Sequence, residues 1–249
     1  MNIEGSRILI TGAASGFGRS MALFFASKGA KVAALDVNKS ALELLIAENS
    51  NIYPVVCDIT DVTQVESAVN DVFLRFDGLE VLVNNAGIMK NAPLINILNR
   101  NDKKHSIELW DKVISINQSA VFYMTRACVD AMLSKRNKGV IINVSSIAAQ
   151  GNIGQTAYSA SKSAVEAMTK VWAKELGRFG IRSVAVAPGF MDTAGIAEAI
   201  EEKMLSQWIE KTPLRRTGTV DEVVKTVQFI IENDFVNAEI ININGGLTI

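Results

Sequence analysis

The amino-acid sequence predicts an α/β fold with a doubly wound, seven-stranded parallel sheet and helices on both of its faces. Short β-branched runs alternate with longer segments of helical periodicity along the whole chain, which is typical of such a sheet. These runs are apolar almost throughout, as expected of parallel strands covered on both faces. No linker, repeat or composition shift divides the 249 residues. We therefore expect one Rossmann-type domain over residues 1–249.

The predicted elements follow one another in a regular order. Seven apolar runs are predicted strands, at Arg7–Thr11, Lys31–Asp36, Ile52–Cys57, Leu79–Asn84, Gly139–Ser145, Ile181–Ala187 and Glu239–Ile243. Helical periodicity predicts helices at Phe17–Ser27, Val62–Phe76, Leu109–Leu133, Thr156–Phe179 and Val220–Glu232. In sheets of this kind ligands bind outside the carboxyl ends of the strands. Functional residues are therefore expected just after each strand.

Composition excludes several classes of function. The chain has 25 basic and 26 acidic residues, so it offers no charge footprint for nucleic acid or an anionic membrane. No apolar run approaches the ~20 residues of a membrane span, and the N-terminus lacks a signal-peptide pattern. Cys57 and Cys128 lack metal-ligand spacing, and we expect buried thiols in a cytoplasmic protein without a metal site. The one histidine, His105, lies in a charged stretch and is expected to be a solvated loop residue, which disfavours a Ser-His-Asp hydrolase.

The stretch "TGAASGFGRS" follows the first strand. Glycines there let the backbone turn tightly and approach a pyrophosphate at the N-terminus of the next helix. The spacing is Gly-x3-Gly-x-Gly instead of the commoner Gly-x-Gly-x-x-Gly. We predict a dinucleotide-binding turn formed by Gly12, Ser15, Gly16, Phe17 and Gly18.

Asp36 ends the second strand, 18 residues after Gly18. A carboxylate there can accept hydrogen bonds from both hydroxyls of an adenosine ribose, and it would repel a 2′-phosphate. No basic residue follows in "DVN". The pattern favours NAD, with NADP the less favoured cofactor; the alternative is a solvated turn aspartate.

The third strand is followed by Asp58 and Ile59, a polar and an apolar residue suited to the edge and face of an adenine ring. The alternative is that this segment only caps the next helix, with Thr60 as the N-cap.

Tyr158 and Lys162 are four residues apart in the helical stretch "TAYSASKSAV". Residues at this spacing share a helix face. A free phenol titrates near ~10, and a nearby ammonium lowers its pKa toward neutrality, where it can transfer protons. The alternative is a tyrosine packed on a lysine stem.

Asn117 lies within an apolar helical stripe that runs from Trp110 to Cys128. Burial of an amide costs free energy unless it is hydrogen-bonded. Asn117 is therefore either a functional residue or a core asparagine satisfied by the backbone.

Four motifs occur in order at strand ends or helix starts: "TGAASGFG", "NNAG", "YSASK" and "APGFMDT". Together they resemble the short-chain dehydrogenase/reductase family over the whole chain. The resemblance implies that Tyr158 is the general acid/base and that Lys162 is its partner and holds the nicotinamide ribose. It also implies that Asn117 supports a water-mediated proton relay ending at the lysine. Further cofactor contacts are implied for Tyr158 itself and for Asn85, Ala86, Gly87, Pro188, Gly189 and Thr193.

The resemblance also implies a serine, at the end of "IINVSS", that binds the substrate oxygen. The family usually places it 13 residues before the tyrosine, which is Ser145, whereas Ser146 is 12 residues before it and ends the run. We assign Ser146 and expect the loop that follows it to be one residue shorter.

After the cofactor loop the family has a substrate lid, expected here at about 190–215. It contains the apolar series Ile196, Ile200, Met204 and Trp208. Such a series is commonly core; we interpret it as the apolar wall of the substrate pocket.

Residues 89–109 form an insertion relative to bacterial ketoacyl reductases, and it resembles one in 3-hydroxyacyl-CoA dehydrogenases of this family. Its cations Arg100, Lys103 and Lys104 are candidates for the phosphates of coenzyme A. The alternative is a solvated charged loop.

The sequence therefore predicts an NAD-dependent oxidoreductase that transfers a hydride between nicotinamide and a secondary alcohol or ketone, plausibly a 3-hydroxyacyl thioester such as an acyl-CoA. The first alternative is a 3-oxoacyl-[acyl-carrier-protein] reductase using NADPH. A catalytically silent dinucleotide sensor is the alternative from a different class. From the resemblance we also expect a homotetramer.

Overall fold

The computed structural model describes residues 1–100, 102–192 and 202–249, with side chains from residue 206 onward in the last range. Seven strands form one parallel sheet, in the order β3-β2-β1-β4-β5-β6-β9, and β7 and β8 form a separate parallel pair. This confirms the predicted fold class. The strands are β1 Arg7–Thr11, β2 Lys31–Asp36, β3 Ile52–Val56, β4 Val81–Asn84, β5 Gly139–Val144, β6 Ile181–Pro188, β7 Met191–Asp192, β8 Gly218–Thr219 and β9 Ile240–Ile243.

The helices agree with the predicted ones except in three places. Glu202–Lys211 is a helix where the sequence analysis predicted no helix, only an apolar series within the lid. Lys39–Glu48 is a helix that the sequence did not predict, because its buried stripe consists only of Leu42 and Leu45. The predicted helix Leu109–Leu133 is divided by a π-helical turn at Ser115–Ser119. The helices are α1 Gly16–Ser27, α2 Lys39–Glu48, α3 Val62–Phe76, α4 Ile107–Ile114, α5 Ala120–Ser134, α6 Thr156–Leu176, α7 Glu202–Lys211 and α8 Val220–Glu232.

Successive residues of each strand point to opposite faces of the sheet, and helices cover both faces. In β1, Ile8 and Ile10 belong to one apolar cluster, with side chains from α1, α2 and α8. Leu9 belongs to a second cluster on the other face, with side chains from α3 and α5. This arrangement explains why the strands are apolar almost throughout.

The two predicted thiols are free and buried in the second cluster. Burial raises the pKa of Cys57 to about 11, which keeps its thiol protonated at neutral pH. Among the helices of the described part of the chain, none has the length and apolarity needed to cross a membrane.

The strand order reverses between β1 and β4, and this positions the site. From β1 the chain builds outward through β2 and β3, and it then returns to place β4 on the other side of β1. The connections leave in opposite directions at this point, so a crevice opens at the carboxyl ends of β1 and β4.

Candidate active site

A cleft of about 930 Å³ occupies this crevice. It extends from the turn after β1 to the start of α6, past the ends of β2, β3, β4 and β5. Most of the residues that the sequence singled out lie along its wall. These are Gly12, Ser15, Gly16, Phe17, Asp36, Asp58, Ile59, Asn85, Ala86, Gly87, Ser146, Tyr158, Lys162 and Pro188.

The turn after β1 requires glycine at two of the predicted positions. A Cβ on Gly12, whose φ is +62°, would lie 2.8 Å from the Ala86 Cα. A Cβ on Gly18 would lie 2.2 Å from the Gly12 carbonyl oxygen. Gly12 therefore lets the "NNAG" segment approach, whereas Gly18 packs the helix beneath the turn and does not line the cleft.

The N-terminus of α1 opens into the same cleft. Ser15 is the N-cap of α1, and its side chain makes no capping hydrogen bond with the described residues. The first-turn N–H groups of a helix have no partner within it and carry the positive end of the helix dipole. The turn therefore fits the pyrophosphate of a dinucleotide.

Asn85 joins the ends of β1 and β4 beside this turn. Its amide nitrogen donates to the carbonyl oxygens of Thr11, at 2.9 Å, and Gly12, at 3.1 Å. In return the Thr11 hydroxyl accepts from the backbone N–H groups of Asn85 and Ala86. The Asn85 side chain therefore fixes the floor of the cleft, and its amide is already occupied by protein.

Asp36 is held at the tip of β2 by two backbone donors. One carboxylate oxygen accepts from Ala14 N at 3.0 Å, and the other accepts from Asn38 N at 2.9 Å. Because each oxygen has further acceptor capacity, the carboxylate can still accept from a ligand in the cleft. Val37 beside it is 68% exposed.

Asp58 and Ile59 also line the cleft, where β3 ends. Asp58 accepts from both the backbone N–H and the hydroxyl of Thr60. The N-cap of α3 is Asp61, which accepts from Thr63 N and Gln64 N. The alternative that Thr60 caps this helix is therefore wrong, because the helix begins one residue later.

Tyr158 and Lys162 lie on the α6 face that borders the cleft. The pKa of Tyr158 is raised by burial, against the opposing effect of a hydrogen bond with Ser146. The sequence-based expectation of a lowered phenol pKa is wrong for the free protein. The lysine ammonium is 5.8 Å from the centre of the Tyr158 ring and donates to the Val144 carbonyl instead of the phenol. Desolvation therefore determines that the phenol pKa is raised and not lowered.

Lys162 is buried, and its ammonium donates to the Val144 carbonyl oxygen at 2.7 Å. Burial lowers the pKa of Lys162 to about 8. An ammonium has three donors, so it can hold this carbonyl and retain capacity for a ligand hydroxyl in the cleft.

The two serines that end the "IINVSS" run have different partners. The Ser146 hydroxyl hydrogen-bonds the Tyr158 phenol and accepts from Ala148 N at 3.2 Å. The Ser145 hydroxyl is buried and donates to the Glu166 carboxylate at 2.8 Å. Of the two, Ser146 has its hydroxyl beside the phenol, where a substrate oxygen would meet both.

We expect Ser146→Ala to lower kcat by about a hundredfold, because one donor to the reacting oxygen is lost. Ser145→Ala is expected to lower kcat by no more than about tenfold and also to lower the melting temperature, since its hydroxyl donates to Glu166 and not to the reacting oxygen. Steady-state kinetics and thermal melts of both variants check this. The reverse order of kcat values would assign the substrate oxygen to Ser145.

Asn117 lies in the π-helical turn between α4 and α5 and is completely buried. Its amide exchanges hydrogen bonds with both backbone groups of Ile88, each at 2.8 Å, and donates to the Ser161 hydroxyl at 3.3 Å. The side chain thus ties the segment after "NNAG" to α6. Asn117 does not line the cleft, and its bonds to Ile88 are those of a core asparagine satisfied by the backbone; a role in a proton relay stays a prediction.

The segment after β6 contains the remaining predicted contacts. Gly189 donates to Ile243 O at 2.9 Å, and a Cβ on it would lie 2.9 Å from the Asn244 Cα, so it packs on β9 and does not line the cleft. The Trp208 ring stacks on Phe190 with centroids 4.4 Å apart. Thr193, Ile196, Ile200 and the side chain of Met204 lie outside the described residues.

Within the insertion, residues 94–96 pair antiparallel with residues 103–105. Arg100, Lys103 and Lys104 of the insertion are exposed. His105 is not a solvated loop residue as the sequence suggested. Its Nδ1 hydrogen-bonds the Ala92 carbonyl at 3.1 Å, and its Nε2 is buried without a partner among the described residues. The contact with Ala92, 13 residues earlier in the chain, is one that no local sequence signal indicates.

Several residues of the cleft were not predicted from sequence. Those from α4 and the π-helical turn reach it only through tertiary packing, whereas Leu35 and Val144 adjoin predicted residues. The unpredicted residues are Leu35, Val37, Cys57, Thr60, Ile88, Met89, Lys112, Ser115, Ile116, Val144 and Met191. Ser145, which the sequence offered as the alternative to Ser146, also lines the cleft.

The chain is similar to known oxidoreductases over its whole length. The model of the short chain dehydrogenase family matches residues 6–204. The chain is 41% identical over 256 aligned residues to the 3-oxoacyl-[acyl-carrier-protein] reductase FabG of Thermotoga maritima, with 100% of both chains covered. It is 34% identical over 247 residues to the protein of the same name from Staphylococcus aureus, with 96% of each covered.

Proposed function

Because the chain belongs to the short chain dehydrogenase family and is an oxidoreductase of CH–OH and keto groups, we propose that it interconverts 3-oxoacyl and 3-hydroxyacyl thioesters with NAD(H). The thioester is proposed from the names of the relatives, which act on 3-oxoacyl groups. The choice of NAD(H) rests on one observation, the carboxylate of Asp36.

The Asp36 carboxylate borders the cleft with each oxygen already oriented by a backbone N–H. An adenosine ribose bound beside it would offer two hydroxyl donors to this acceptor. A 2′-phosphate would instead bring a second negative charge against a fixed one, and like charges held together in an interface cost affinity.

In this proposal each residue of the site has a separate role in binding or proton transfer. A nicotinamide cofactor supplies the hydride chemistry when bound. Ser146 and Tyr158 bind the substrate oxygen, and Tyr158 gives a proton to that oxygen in reduction or removes it in oxidation. Lys162 would hold the hydroxyls of the cofactor ribose, while the carbonyl of Val144 holds the lysine in place.

The protonation state of Tyr158 supports reduction at neutral pH. Burial raises the pKa of Tyr158 above its ordinary value near ~10. The free protein therefore presents a phenol that can donate a proton to a ketone oxygen. Oxidation requires the deprotonated form, so we propose that it is favoured by alkaline conditions.

The second candidate function is a 3-oxoacyl-[acyl-carrier-protein] reductase that uses NADPH. The names of the relatives favour it. Asp36 does not. Reduction of acetoacetyl-CoA and of an acetoacetyl carrier-protein thioester, each with NADH and with NADPH, distinguishes the two candidates.

We expect the wild-type protein to have the larger kcat/KM with NADH. Replacing Asp36 with alanine and Val37 with arginine should invert the preference, by about tenfold or more in the ratio of kcat/KM values. Val37 is exposed, so an arginine there has room.

Asp36→Asn is the matched control, because it keeps the size of the side chain and removes only the charge. Asp36→Asn should lower the ratio of kcat/KM with NADH to kcat/KM with NADPH but keep it above one. A wild-type kcat/KM that is larger with NADPH would overturn the assignment of NAD(H) and leave the second candidate.

A further inference from the structure

Four consecutive residues at the end of β5 are each hydrogen-bonded to α6. The Asn143 amide donates to Thr169 Oγ1 at 2.8 Å, and the Val144 carbonyl accepts from Lys162 at 2.7 Å. The Ser145 hydroxyl donates to Glu166 at 2.8 Å, and the Ser146 hydroxyl bonds the Tyr158 phenol. We call these four bonds the β5–α6 ladder.

Three of the α6 residues in the ladder are at positions i, i+4 and i+8, which are Tyr158, Lys162 and Glu166. This spacing places their side chains along one face of a helix. Tyr158 and Lys162 carry the proposed chemistry. Glu166 continues the same row one turn further from the cleft.

The bond between Ser145 and Glu166 is a strong hydrogen bond, because its acceptor is a carboxylate. A hydroxyl that donates to a carboxylate makes a charge-assisted hydrogen bond, which is shorter and stronger than a neutral one. The Ser145 hydroxyl is buried, and the backbone N–H of Ser145 donates to Val186 O at 2.7 Å. Ser145 is thereby fixed from β6 on one side and from α6 on the other.

We infer that Glu166 is a positioning residue, which fixes Ser145 and through it sets where the neighbouring Ser146 hydroxyl meets the Tyr158 phenol. Glu166 does not line the cleft, so it acts only through the strand end. Productive geometry at a reacting centre is sensitive to displacements below an ångström. Without the carboxylate, the Ser145 hydroxyl would be buried with no acceptor, and the strand end would shift to hydrate it.

The inference rests on the proposed function for its kinetic test only. We expect Glu166→Ala to lower kcat for the 3-oxoacyl thioester about tenfold and to leave KM for NADH unchanged. Glu166→Gln keeps an oxygen acceptor and should restore kcat to within about threefold of wild type. Glu175→Ala is the matched control, since it removes an exposed carboxylate from the same helix.

A double-mutant cycle of Glu166→Ala and Ser146→Ala distinguishes an effect of Glu166 on the position of Ser146 from a general loss of stability. If Glu166 acts through Ser146, then Glu166→Ala should lower kcat little further in a Ser146→Ala background. A full tenfold decrease in that background, or an unchanged kcat for Glu166→Ala with a lowered melting temperature, would overturn the inference.

A spectroscopic measurement needs no turnover and remains decisive if the proposed substrate is wrong. The protein has three tyrosines, so a ¹³Cζ-tyrosine label gives few NMR signals, and Tyr158→Phe identifies the one from Tyr158. Glu166→Ala should move that signal toward its position in Ser146→Ala, whereas Glu166→Gln and Glu175→Ala should not. An unmoved Tyr158 signal in Glu166→Ala would also overturn the inference.

Discussion

Tyr158→Phe is expected to lower kcat about a thousandfold, since general acid–base groups contribute on the order of 10²–10⁴ to a rate. The substitution removes one hydroxyl and keeps the ring, so packing at the start of α6 stays as it is. The binding of NAD(H) should change little, because Tyr158 is only one of many residues assigned to the cofactor and the substitution removes a single hydroxyl. The measurement is kcat under conditions where hydride transfer limits the rate, together with fluorescence titration of NADH.

The control for this experiment is Tyr123→Phe. Tyr123 packs on α5 against Phe122 and does not line the cleft. That variant should keep kcat within about twofold of wild type, because it removes one hydroxyl from a partly buried ring outside the cleft and keeps the packing of that ring. Retention of more than a tenth of kcat by Tyr158→Phe would exclude the phenol as the proton donor.

Lys162→Met is expected to abolish turnover and, at neutral pH, to stabilise the fold. The pKa of Lys162 is lowered from 10.5 to about 8 by burial. The folded chain therefore binds this proton less tightly than the unfolded chain. That difference corresponds to about 3 kcal/mol of lost stability at pH 7. A methionine avoids this cost but loses the bond to Val144 O, worth about 1 kcal/mol, so a net gain of about 2 kcal/mol is expected.

The pH dependence of this gain has a definite sign. Between pH 8 and 10.5 the unfolded lysine stays protonated while the folded one loses its proton, so the stability of the wild type rises with pH. The advantage of Lys162→Met should therefore shrink across this window and disappear near its upper end. Urea unfolding of both proteins at pH 7 and pH 10 measures it. An equal difference in unfolding free energy at the two pH values would contradict a buried ammonium of lowered pKa.

The sheet could be predicted from the sequence because its strands are short apolar runs, most of which are buried on both faces. Predicted and observed bounds differ by no more than two residues for these seven strands. The helix Lys39–Glu48 was missed because two buried leucines make too short a stripe. The π-helical turn around Asn117 was missed because it depends on bonds to Ile88, 29 residues away.

Positions in the site were more predictable than the properties of its groups. Motifs that follow strands placed the glycine turn, Asp36 and Tyr158 in one cleft. The shift of the Tyr158 pKa was predicted in the wrong direction. The sequence shows that Lys162 is four residues away, but it does not show how deeply the phenol is buried, and burial is the larger effect. Glu166 carries no motif of its own, and only the fold shows that it reaches Ser145.

The partner of Lys162 is a main-chain carbonyl, and this affects how the gene can diverge. Every amino acid carries that oxygen, so no missense change in the codon for Val144 can delete the acceptor. Selection at that codon then acts only on whether the residue suits a buried strand. Duplicated copies could exchange valine, isoleucine or alanine there and still keep the ammonium anchored. The codon for Ser146 has no such freedom, since its hydroxyl belongs to the side chain.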